Sequence, residues 1–160
     1  MKTFKSQTID DIKKGYEYKI DPLDSINTAL IIYCMLFGHF CIKLDRFDEN
    51  IMEIKTNIQN KRDKTDGNTL ESYDKTIKEI SDNCQKIRKT VKLDYREISL
   101  MLTEITDDYK KNKDKPGSSN IYEKISADII DKEVNKFIQY EKILISYNDH
   151  IINIKNNLTN

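Results

Sequence analysis

Glycine and proline are nearly missing from this chain, at four and two in 160 residues. So few breakers exclude a fold of many short elements joined by many turns, and favour a handful of long ones. A single domain of this length buries a sizeable core. A charge of one sign is missing too: 27 basic and 27 acidic residues are interleaved, and the formal net charge is zero. Without a basic excess to meet phosphates, no nucleic-acid partner is expected. The short basic cluster Lys110, Lys111 and Lys113 sits beside Asp107, Asp108 and Asp114 and reads as a solvated helix end.

Cysteine is sparse and odd in number, at three. Cys34 and Cys41 are seven apart, which on a helix separates them by about 10 Å, too far for a disulfide. Reduced thiols fit a reducing compartment, and Met1-Lys-Thr-Phe-Lys-Ser has no apolar stretch behind its positive start. A cytoplasmic location is therefore expected. The heavy use of Ile, Asn, Asp and Lys is the mark of an A/T-rich genome, which makes a viral or pathogen protein acting in a host cytoplasm one source that fits.

Catalytic signatures are also missing. No glycine-rich phosphate loop, His-Glu-x-x-His zinc motif or Gly-x-Ser-x-Gly elbow occurs. The two histidines, His39 and His150, have Leu36 and Tyr147 three residues before them, not the acid that helical di-iron sites use. A non-enzymatic chain is expected, with no catalytic residue, no metal ligand and no cofactor.

What is present is helical periodicity on a long scale. A first helix is predicted over about 22–63, opened by Asp21 as cap, Pro22 at the first helical position and Asp24 at the positive dipole end. Its apolar seam is Ile26, Leu30, Tyr33, Phe37, Phe40, Leu44, Phe47, Ile51, Ile54 and Ile58, stepping alternately by four and three. A second, about 69–112, follows a capping-box variant at Asn68 and Glu71. Its seam runs from Leu70 to Tyr109 with a double step of four at Val91–Tyr95, a stutter that relaxes supercoiling. A third, about 120–158, opens at Asn120 with Glu123 and carries Ile130, Val134, Phe137, Tyr140, Leu144, Tyr147, Ile151, Ile154 and Leu158. Helices of about 38 to 44 residues joined by short turns fold back on one another. The predicted fold is all-α: an elongated antiparallel three-helix bundle, coiled-coil-like and self-associating, over residues 21–160. Residues 1–20 precede it as a segment with a short helix at Ile9–Lys14.

One stretch departs from the rest. Ser25 to Ile42 contains no charged residue, although about a third of the chain is charged. Its strongly apolar part, Ala29–Ile42, is 14 residues interrupted by Gly38 and His39, which is short for a bilayer span and ordinary for a buried helix. It is nevertheless apolar beyond its seam, at Ile31, Ile32, Met35 and Ile42. A helix apolar all round wants cover on every side, and the third helix has its own surplus at Ile129, Ile138, Ile143, Ile145 and Ile152. Ile31, Ile32, Met35 and Ile42 are thus the candidate partner-binding residues. The cover is expected to be the N-terminal segment, through Phe4, Ile9, Ile12, Tyr16 and Tyr18, or a partner, either a second copy of the chain or another helical protein. His39, inside the stretch, is a candidate pH switch, since charging a buried imidazole would loosen an interface.

The composite expectation is a non-enzymatic protein–protein interaction module (adaptor, scaffold or inhibitor) that works by helix packing as an oligomer. The alternative is a membrane-active protein that inserts the stretch 25–42.

Overall fold

The structure, a computed structural model, describes residues 22–61, 67–115 and 118–159. The expected helix at residues 9–14 and the Asp21 cap lie outside the described residues. Three helices make up almost all of what is described: α1 (Pro22–Lys61, 40 residues), α2 (Gly67–Asn112, 46 residues) and α3 (Ser118–Thr159, 42 residues). No strand occurs among the described residues. α2 and α3 begin at Gly67 and Ser118, slightly upstream of Asn68 and Asn120. Helix ends shift by a residue or two in this way whenever the first turn can extend.

The three helices pack against one another as a bundle and contribute to two compact units. One unit contains residues 41–89 and 140–159, the other 22–40 and 90–139. Each draws a segment from every helix. Ion pairs set the directions. In the first unit Lys43 meets Glu141 and Glu53 meets Lys155, so α1 and α3 run parallel there. Arg88 meets Asp45 and Asp48, which ties α2 to α1 at that level. In the second unit Asp94 meets Lys136, and Asn112 meets Tyr122, which sets α2 against α3.

The inner face of α1 is wider than a two-column seam. Its centre is Ile26, Tyr33, Phe40, Phe47 and Ile54, all buried. On one side Leu44, Ile51 and Ile58 are buried, and on the other Ala29, Leu36, Lys43 and Asn50. Three columns at these spacings form the broad stripe of a helix that faces two neighbours at once. On α2 the buried residues are Leu70, Ile77, Ile80, Cys84, Val91, Ile98 and Leu102; α3 adds Ile130, Val134, Phe137, Leu144, Ile151, Ile154 and Leu158.

The unit of residues 22–40 and 90–139 is held by aromatic rings. Tyr33 and Phe40 meet Phe137 with ring centroids 6.1 and 5.4 Å apart, and Phe37 stacks on Tyr95 at 4.1 Å. Tyr95 also stacks on Tyr33 at 5.9 Å. Tyr95 is the residue reached by the double step of four, so the stutter brings one ring against two residues of α1. These offset and tilted arrangements suit ring quadrupoles and add to the area that the rings bury.

The unit of residues 41–89 and 140–159 is different in kind. Lys43 Nζ donates to Glu141 Oε2 at 2.6 Å, with the two side chains only 7% and 1% exposed. Asn50 and Asn148 lie one heptad further along each helix, with the same 98-residue separation as the ion pair. Both are buried, and Asn50 Nδ2 and Asn148 Oδ1 each lack a hydrogen-bond partner. A donor on one helix and an acceptor on its parallel neighbour thus occupy one level.

Phe137 is the ring on which both Tyr33 and Phe40 converge. Phe137→Ala is expected to lower unfolding stability by about 3–5 kcal/mol, as for large-to-small changes in packed cores. Chemical denaturation followed by circular dichroism measures it. A loss under about 1 kcal/mol would mean that the rings do not form a close-packed core there.

Candidate interaction surface

The side of α1 opposite its inner face is read off the helical spacing as Thr28, Ile31, Met35, Gly38 and Ile42. In the unit of residues 22–40 and 90–139, Ile31 is 58% and Met35 51% exposed. A Cβ added at Gly38 would meet nothing within 4 Å, so this position opens outward. In the other unit Ile42 is 53% exposed. Further along, the same side of α1 carries Asp45 and Glu49, both exposed. The charge-free run of outward positions ends there, and Met52, 61% exposed, follows on the same side among charged residues.

Ile32, expected as a partner contact with these three, is placed differently. It is only 4% exposed and belongs to the core. The reason is the width of the inner face. Ile32 lies three residues after Ala29 and four before Leu36, on the flank of a column that is itself buried. A seam of two columns leaves that flank open; one of three columns covers it.

His39 is half-buried on the same helix, between Gly38 and the fully packed Phe40. Cys34 and Cys41 are also half-buried, and all three thiols are free. Cys34 Sγ lies 3.6 Å from Tyr95 Oη, a contact that holds the phenol's pKa above its ordinary value. Cys84 is buried in α2, where burial, reinforced by the nearby Asp48 carboxylate and partly offset by Arg88, pushes its thiol up to about 12. It is a core side chain whose raised pKa disfavours the thiolate.

Among the described residues no group of three or more His, Cys, Asp or Glu side chains could hold a metal ion. Asp107 and Asp108 are exposed and border a surface hollow lined by Met101, Glu104, Ile105 and Lys111, all on α2. On the exposed side of α1 and α2, Arg88 bridges Asp45 at 3.0 Å and Asp48 at 2.6 Å. Such partly exposed pairs contribute little to stability and mainly orient side chains.

The buried ionisable groups are what the seam reading missed. Lys43, Glu141 and Glu133 are each almost fully enclosed. The signal was available in part: Ala29, Leu36, Lys43 and Asn50 recur every seven residues beside the apolar seam. Glu133 sits in the unit of residues 22–40 and 90–139, where Lys136 Nζ lies 3.2 Å from its Oε1 in an ion contact without hydrogen-bond geometry. Lys136 also lies 3.4 Å from Asp94. Burial raises the Glu133 carboxyl above its usual range, against the opposing pull of Lys136.

No protein-family model matches the chain, and no significant match exists among curated proteins or solved structures. Function has to be argued from the surface itself.

The Glu133 environment has a sign that can be tested. A carboxyl whose folded pKa is raised holds its proton more tightly folded than unfolded. Its contribution is fully present below the ordinary value of 4.5 and is lost as pH rises through the higher folded value. Glu133→Gln is therefore expected to be more stable than the native chain at neutral pH. That gap should close as the pH falls below the ordinary carboxyl range. Urea midpoints across pH measure it, and a gap independent of pH would contradict the assignment.

Proposed function

We propose that this chain is a non-enzymatic interaction module that works by helix packing, with the outward side of α1 as its docking surface and a second copy of the chain as the occupant. The observation that carries the reading is the pairing of Ile31 and Met35, each more than half exposed, on a side of α1 that is free of charge through Ile42. Exposed apolar groups gathered on one element mark interaction sites more often than isolated ones do.

Charge argues for the second copy. A partner that set a carboxylate or ammonium against this side would have to desolvate it with no counter-charge in reach. The partner surface must therefore be uncharged over a matching length. In a chain so rich in Asp, Glu, Lys and Arg, the stretch 25–42 is the segment that meets this condition, and a second copy supplies it by construction. A contact of one side with itself is isologous and closes as a dimer.

The alternative is membrane insertion, and it rests on an observation of its own: residues 25–61 of α1 are long and apolar enough to cross a bilayer by length and composition. Against it stands the packing of the α1 inner face on α2 and α3, which insertion would have to undo.

Sedimentation of the full chain separates the readings. A concentration-dependent dimer is expected, reduced to monomer by Met35→Lys with no loss of helix content. A chain that stays monomeric at every concentration overturns self-association. Dye release from anionic vesicles, abolished by Met35→Lys, would favour the membrane alternative in its place.

A further inference from the structure

We infer that the buried Lys43–Glu141 pair is a pairing lock: it admits α3 to the inner face of α1 and rejects a second α1 in the same place. The inference concerns the unit of residues 41–89 and 140–159 and does not depend on what occupies the outward side of α1.

The three inner columns of α1 contain one cation, Lys43, and no acid at all: their other members are apolar, aromatic or Asn. Lys43 is buried and meets Glu141 Oε2 at 2.6 Å. If the inner face of α1 packed on the inner face of another α1, no carboxylate of the three inner columns would be present to meet Lys43, and the half-exposed Asp48 on their flank is already paired with Arg88. The ammonium would be stranded in an apolar seam or set against its own copy. The same holds for α3 packed on α3, where Glu141 would face a carboxylate or an apolar side chain unless Lys155 were brought to it.

Register is restricted as well. Sliding α3 by one heptad along α1 would place Val134 or Asn148 opposite Lys43. Asn50 and Asn148 mark the same alignment one heptad on, where their unpartnered Nδ2 and Oδ1 face one level. An ion pair buried this deeply adds little net stability over apolar residues of similar volume, because desolvation offsets the attraction. Its effect lies in what it forbids, as a single polar residue in a coiled-coil seam sets partner and register. Long helices with broad apolar faces need such a restriction, since α1 without Lys43 would pack on many partners about equally well.

The test compares three chains, each carrying Met35→Lys so that association through the outward side of α1 is silent. The first has no further change. In the second, Lys43→Met and Glu141→Leu make the pair neutral. In the third, Lys43→Glu and Glu141→Lys reverse it. Sedimentation equilibrium across a wide concentration range is the readout, with denaturant midpoints alongside. The first and third chains are expected to remain one monomeric species. The neutral chain should keep or raise its midpoint yet form concentration-dependent oligomers, raising its association constant at least tenfold. Lys43→Met alone, which leaves Glu141 buried and unpaired, should shift the unfolding equilibrium by roughly 10²- to 10³-fold. The neutral chain decides by itself: if it stays as monomeric as the first chain, the lock is overturned. Association of the reversed chain as strong as that of the neutral one overturns it equally. Failure of the dimer proposed above would show instead in the chain with Met35 intact, so the two readings fail separately.

Discussion

Everything described in this chain depends on burying one side of α1 against two helices at once. Three columns of α1 are covered, from Ile26 to Ile58, and the helix has no second way to hide that much apolar surface. Each fully buried Leu, Ile or Phe contributes about 1.5–3 kcal/mol relative to exposure, and α1 supplies more of the buried aromatic rings than either neighbour. α2, the most amphipathic of the three, and α3 close their apolar stripes over it. The outward apolar residues of α1 then stand out because the inner demand is already met.

The two units meet that demand with different chemistry. In the unit of residues 22–40 and 90–139, aromatic rings fill the core, and Tyr33, Phe37, Phe40, Tyr95 and Phe137 touch in one chain of contacts. Rings supply area and tolerate small readjustments. In the unit of residues 41–89 and 140–159, the α1–α3 seam carries an ion pair and two asparagines. Polar groups at that depth accept few arrangements, because each alternative leaves a charge or an amide unmet. Packing area supplies affinity, and the polar column restricts it to one partner.

Much of the fold was legible in the sequence because long helices announce themselves. The scarcity of Gly and Pro, the four-three stepping and the Asn-Glu pairs near the helix starts gave three helices whose ends lie within two or three residues of those observed. Exposure of Ile31, Met35 and Ile42 was legible for the same reason: all three fall opposite the seam. Ile32 was misplaced because a four-three seam counts two columns, and a helix flanked by two neighbours buries three. Lys43 and Glu141 were only partly legible for a related reason. Taken singly, a Lys or Glu on a helix reads as solvated, and only the parallel alignment of α1 with α3, a relation between residues 98 apart, reveals that each is the other's partner. The partner of the outward side is not written in the chain's periodicity at all, since periodicity records which side is buried and not what comes to meet the other.

The claim on which the account rests is that α1 keeps its inner side covered within the bundle and presents Ile31 and Met35 outward. Hydroxyl-radical footprinting of the full chain at low concentration, read residue by residue along α1, tests it directly. The account predicts strong modification at Ile31 and Met35 and protection at the adjacent Ile32, Leu36 and Phe40. Equal modification of Met35 and Leu36, or protection of Met35 in the dilute monomer, would contradict it.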